Sequence, residues 1–150
     1  MGSVLVFLQT EANQNIAADV RRADIRRAAY IDLGARTLTY ALEITTTANM
    51  ASDLSVDKEA LRKQCNDQLL PALGALHQAR TAVQLVASSD GRAALAAMDT
   101  PLSNLVSAGD QACTRRYNDP STFASTTSAA RERLLEAKQI LLNKVAAEAI

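Results

Sequence analysis

The sequence has no tryptophan, one histidine, two cysteines and only 3% aromatic residues. Each shortage excludes something. A lone His77 and two distant cysteines contain no His-Glu-x-x-His, Cys-x-x-Cys or Cys-x-x-Cys-His, the spacings that zinc, redox and haem sites require. No Glu-x-x-His pair exists, so a di-iron carboxylate bundle has no ligands. Five glycines and three prolines are too few for a collagen-like chain, and two cysteines are too few for a disulfide-dense secreted scaffold. A phosphate-cradling loop would need a Gly-rich turn after a strand, and the sequence offers neither. No resident metal or cofactor is predicted, and the chain reads as non-catalytic.

Charge of one sign is also lacking. Sixteen Lys and Arg balance sixteen Asp and Glu. The balance is local: residues 1–56 carry five Arg against six acids, and residues 57–90 four bases against four acids. Residues 91–119 carry three of each, and residues 120–150 four bases against three acids. There is no basic arm to neutralise phosphates, so nucleic acid is not an expected partner. Long hydrophobic runs are missing too. Val4–Leu8 is far short of the ~20 residues that span a bilayer, and it lacks the basic flank and cleavage site of a signal peptide. Two readings of it stay open behind Met1-Gly2-Ser3, which has the composition of an expression scar. It is either the first turns of a long buried helix or the outer end of a membrane anchor outside this chain.

What is present is alanine, at 29 of 150 positions, and a 3.6-residue apolar period over most of the length. The period and its punctuation predict one all-α domain over residues 1–150. The expected form is an elongated, antiparallel, up-down-up-down four-helix bundle, with helices at about 10–50, 57–88, 91–117 and 120–149. The first helix is given an apolar stripe of Ile31, Ala35, Leu38 and Leu42, with Ile16, Val20 and Ala23 upstream. Thr45-Thr46-Thr47 should weaken its end. Asp57 is the expected N-cap of the second helix, which carries Cys65, Leu69, Ala72, Leu76, Ala79, Val83 and Val86 on one face. Pro71 lies inside that run and should kink or divide it. Ser88-Ser89-Asp90-Gly91 reads as a turn. The third stripe is Leu95, Met98, Leu102, Val106, Gly109 and Cys113, with Thr100-Pro101 as a competing start. Asp119 and Pro120 open the fourth helix, whose face is Phe123, Ala130, Leu134, Ala137, Leu141 and Val145. Its Ser- and Thr-rich stretch 121–128 is left open as helix or loop.

Cys65 and Cys113 lie symmetrically about residue 89, where the second turn is placed. In an antiparallel hairpin they reach the same height, and facing stripes would bring them within disulfide reach. The other reading is two buried free thiols acting as small hydrophobes. A helix starting at Pro101 would offset the hairpin. A bridge would imply an oxidising compartment.

The conspicuous polar cluster is residues 21–27. Arg22 and Arg26 share a face and form a candidate clamp for a small anionic ligand through guanidinium–carboxylate pairing. The competing reading is a solvated face with intrahelical pairs such as Asp19–Arg22 and Asp32–Arg36. Arg115 and Arg116 sit where cations complement a helix C-terminus, which needs no ligand.

In size and layout the chain resembles the four-helix ligand-binding domains of bacterial chemoreceptors and sensor kinases. No motif carries that resemblance, so it assigns no binding residues. It implies a periplasmic or extracytoplasmic, membrane-tethered domain with a sensing or protein-interaction role. The alternative is a cytosolic adaptor or assembly protein that forms a homodimer through exposed apolar surface.

Overall fold

The computed structural model describes the backbone of residues 2–148 and the side chains of residues 13–144. Among them every regular element is helical: α1 (Gly2–Ser52), α2 (Lys58–Gln64), a π-helical turn (Cys65–Leu69), α3 (Leu70–Val86), α4 (Ser89–Ala96), α5 (Asp99–Thr114) and α6 (Pro120–Glu148). The fold is all-α, and the four expected passes are there, with the second and third interrupted.

The contacts give the directions. Arg26 meets Val86 and Glu43 meets Gln64, so α1 runs against α2 and α3. Thr45 meets Arg131 and Gly34 faces Leu142, so α1 also runs against α6. Gly109 approaches Ile44 and Arg115 reaches Ala51, so α5 runs alongside α1 in the same direction.

The punctuation acts much as its chemistry dictates. Asp57 caps α2 by accepting from the Ala60 amide at 2.7 Å. Pro71 does divide the second pass, but through the π-helical turn ahead of it, in which the Leu70 amide donates to the Cys65 carbonyl. A wider turn relieves the clash of a proline ring with the carbonyl four residues back while helical dihedrals continue. The break between α4 and α5 lies just before Thr100-Pro101. Residues 121–128 are helix, opened by Asp119 and Pro120.

Two expectations are corrected. Ser89, Asp90 and Gly91 are not turn but the start of α4, because the Ser88 hydroxyl accepts from the Gly91 amide and caps it. The threonines near the end of α1 lie inside it, and the helix runs on to Ser52, close to the expected end. Thr45, Thr46 and Thr47 each donate back to the carbonyl four residues earlier, which leaves no hydroxyl competing for another geometry. The largest correction concerns the face of α1. Ile31 is 58% exposed, Leu38 45% and Leu42 61%. The side of α1 in the core is instead Tyr30, Leu33, Thr37, Tyr40, Ala41 and Ile44.

The main core joins that side to Leu76, Val83, Leu95, Met98, Leu102, Leu105, Leu134 and Leu141. A second cluster closes the far end around Ala51, Leu61, Cys65, Ala112 and Phe123. The second stripe and the fourth from Phe123 to Leu141 are buried nearly as expected, with Val145 and the Val4–Leu8 run outside the described side chains, whereas Val106 faces out and Leu105 replaces it. Burial also pushes the Tyr40 hydroxyl pKa up.

Gly91 marks the tightest approach in the core. A Cβ there would fall inside the Tyr30 hydroxyl, and Tyr30 is fully buried with nowhere to move. Gly91→Ala is expected to lower stability by about 1–3 kcal/mol, the usual cost of overpacking. Urea denaturation checks this, with Gly74→Ala as the control because nothing lies within 4 Å of its added methyl.

Candidate functional site

Three features stand out from the packed body: the cystine, the free side of α1, and the end where α5 turns into α6.

Cys65 and Cys113 form a disulfide with Cα atoms 6.2 Å apart. The break before α5 does not spoil their register. α5 starts at Asp99, early enough for its axis to run beside the π-helical turn and α3, and Arg80 at the other end of the same pair is salt-bridged to Asp99. Beside the bridge lies an open cavity of about 530 Å³, walled largely by Tyr40, Leu69, Leu73 and Val106.

The free side of α1 is long. None of residues 13–29 is buried. Gly2–Ile25 precedes the Arg26–Val86 contact, so about 36 Å of helix projects beyond it at ~1.5 Å per residue. Ile16 and Val20 are exposed on the projection, and Ile31, Leu38 and Leu42 continue the same stripe along the body. Val20, Ile31 and Leu42 recur every eleven residues, a spacing that keeps a stripe almost straight along a helix. Asp24 and Arg27 interrupt the stripe and pair with each other at 3.6 Å.

The Arg22–Arg26 clamp is divided between two roles. Arg26 Nε donates to the Val86 carbonyl at 2.9 Å, which ties α1 to the end of α3. Arg22 is 76% exposed and lies 3.6 Å from Asp19. The intrahelical pairs Asp19–Arg22 and Asp32–Arg36 are both present. His77 is exposed on α3. Among the described residues no group of His, Cys, Asp and Glu is placed to hold a metal ion. Within the same residues no helix is long and apolar enough to cross a membrane.

The α5–α6 turn was not singled out by the sequence. Arg115 adopts the left-handed conformation, φ 51°, and ends α5. Its guanidinium does not serve its own helix. It donates to the carbonyls of Met50, Ala51, Asp53 and Val56, at the end of α1 and in the turn that follows. α1 has no basic residue in its last turn, so this cap arrives from some sixty residues away. The Tyr117 hydroxyl adds a bond to Ala51 O at 2.9 Å, and its ring stacks on Phe123 at 4.4 Å. Donation by the Thr122 hydroxyl and the Ser121 amide holds the Asp119 carboxyl below the usual carboxylate range. Behind this turn is an open concavity of about 550 Å³ between α5 and the start of α6. The signal for it was present as Arg116 to Asp119, but each residue had a sufficient local explanation as a helix end.

A scan against protein-family models finds no match, and neither the curated proteins nor the solved structures yield one.

Proposed function

We propose that this chain is a non-catalytic, extracytoplasmic helical-bundle domain that acts as a homodimer, two copies pairing in parallel along α1, in a sensing or protein-interaction role. The observation that carries the reading is the second apolar face of α1, running from Ile16 to Leu42 over both the projection and the body. A helix is held in water chiefly by packing of an apolar face, and none of the described side chains of the projecting part, residues 13–25, is buried in its own chain. A second α1 fits it in length and repeat. A parallel pair sets the two projections on each other, whereas an antiparallel pair would set each projection on the body of the other copy. In a parallel pair, Asp24 of each copy also lies one turn from Arg27 of the other, so the two charges inside the stripe meet opposite charges. The Cys65–Cys113 bridge supports the compartment, because structural disulfides persist in oxidising surroundings. A clamp of Arg22 and Arg26 on a small anion has weaker support, since Arg26 is engaged with Val86.

Sedimentation across a concentration series tests this. The wild type should dimerise. Leu38→Asp with Leu42→Asp should weaken the dimer at least about a hundredfold, each lost burial being worth about 1.5–3 kcal/mol. The melting of the monomer should hardly change, because both side chains are exposed in it. Ile16→Cys should cross-link the two copies in air. A monomeric wild type at high concentration, or a double variant that dimerises normally, removes the reading; absence of the Ile16→Cys cross-link removes the parallel arrangement.

A further inference from the structure

We propose that the concavity between α5 and the start of α6 binds a small zwitterion, with its carboxylate on Arg116 and its ammonium on Asp119. The volume, about 550 Å³, lies in the range of small-molecule sites. The charged side chains lining it are Arg116 and Asp119, one of each sign. A ligand matching that surface carries both charges, whereas a simple anion would face Asp119 and a simple cation would face Arg116.

Three observations point to a ligand rather than to bare surface. Thr127 lines the concavity at 6% exposure, and its hydroxyl has no hydrogen-bond partner among the described residues. Buried hydroxyls are ordinarily paired, and this one is a polar atom in the wall without a protein partner. Arg116 makes no ion pair among the described residues, unlike Arg22, Arg27, Arg36, Arg62 and Arg80. Its guanidinium fork is thus available to a carboxylate. Asp119 accepts from Ser121 and Thr122, and a carboxylate has about four acceptor sites, so it can take an ammonium as well. Tyr117 and Phe123, stacked and anchored through Ala51, give one wall a rigid apolar surface suited to a small aliphatic side chain. The ligand class is that of free amino acids and similar ammonium carboxylates. The site lies near the opposite end of the body from the projecting part of α1, and it does not depend on the dimer.

The test is a two-dimensional amide NMR titration of the full chain with free amino acids, with acetate and methylammonium as single-charge controls. Binding of at least one amino acid at millimolar concentration should shift the amides of Asn118, Thr122 and Thr127. Arg116→Ala should weaken it by about tenfold or more, the loss of a charge-assisted hydrogen bond. Asp119→Asn should weaken it comparably while leaving α6 capped, since Asn and Asp cap equally well. The proposal is overturned if no amino acid shifts these amides. It is equally overturned if acetate and methylammonium bind as tightly, or if Arg116→Ala and Asp119→Asn both titrate like the wild type.

Discussion

Replacing Cys65 and Cys113 together by alanine is expected to destabilise the protein by about 4 kcal/mol, which for a chain of this size lowers the melting temperature by roughly 10 °C or more. The bridge spans 48 positions. Cross-linking so long a segment removes many conformations from the unfolded chain and few from the folded one. Alanine is the right replacement, because Cys65 is buried in the small cluster with Leu61 and Phe123, where a serine hydroxyl would lack a partner. Reduced wild type and the double variant should then melt close together, and both well below the oxidised protein. Thiol titration of unreduced protein should find no reactive cysteine, even in denaturant. A double variant melting within a degree or two of the oxidised wild type would show that the bridge constrains little, and the argument for an oxidising compartment would lose its main support.

Arg115→Ala is the second large effect, expected at about 2–3 kcal/mol, typical for hydrogen bonds from a charged donor. The guanidinium reaches four carbonyls at the end of α1 and in the turn after it, of which Met50 and Asp53 also accept from amides of that turn. Arg115→Gly should be less harmful by about 1 kcal/mol. It loses the same contacts but sheds the cost of holding a side chain at a left-handed position. Denaturant unfolding of the three proteins gives both differences, and amide exchange should accelerate at Asp53 and Val56. An Arg115→Ala variant within about 0.5 kcal/mol of wild type, the range of an ordinary surface change, would mean that water caps α1 equally well.

How far the sequence could be read differs helix by helix. The stripe of the second pass, from Cys65 to Val83, was legible because its apolar residues follow one unbroken helical period, with Leu70 and Leu85 left outside it. The same period marks Phe123 to Leu141 on α6. The first helix misleads because two of its faces are apolar. Ile31, Leu38 and Leu42 have a helical period, and so do Tyr30, Leu33, Tyr40 and Ile44, displaced by a fraction of a turn. Periodicity reports that a face exists, but not which neighbour it meets. The core takes the second set because Gly34 and Gly109 let α6 and α5 approach α1 on that side, where Cβ atoms would come within about 3.3 Å of Leu142 and 3.0 Å of Ile44.

The sequence by itself determined the all-α class, the capped start at Asp57, the interruption at Pro71, and the equal heights of Cys65 and Cys113. All of these follow from local dihedral preference, missing donors and counting along helices. Only the tertiary structure decided which side of α1 is covered, that Arg26 is engaged by Val86 while Arg116 makes no ion pair among the described residues, and that Arg115 caps a helix other than its own. Those outcomes depend on groups some sixty residues apart, and no local preference of the chain specifies which distant carbonyl a side chain will reach.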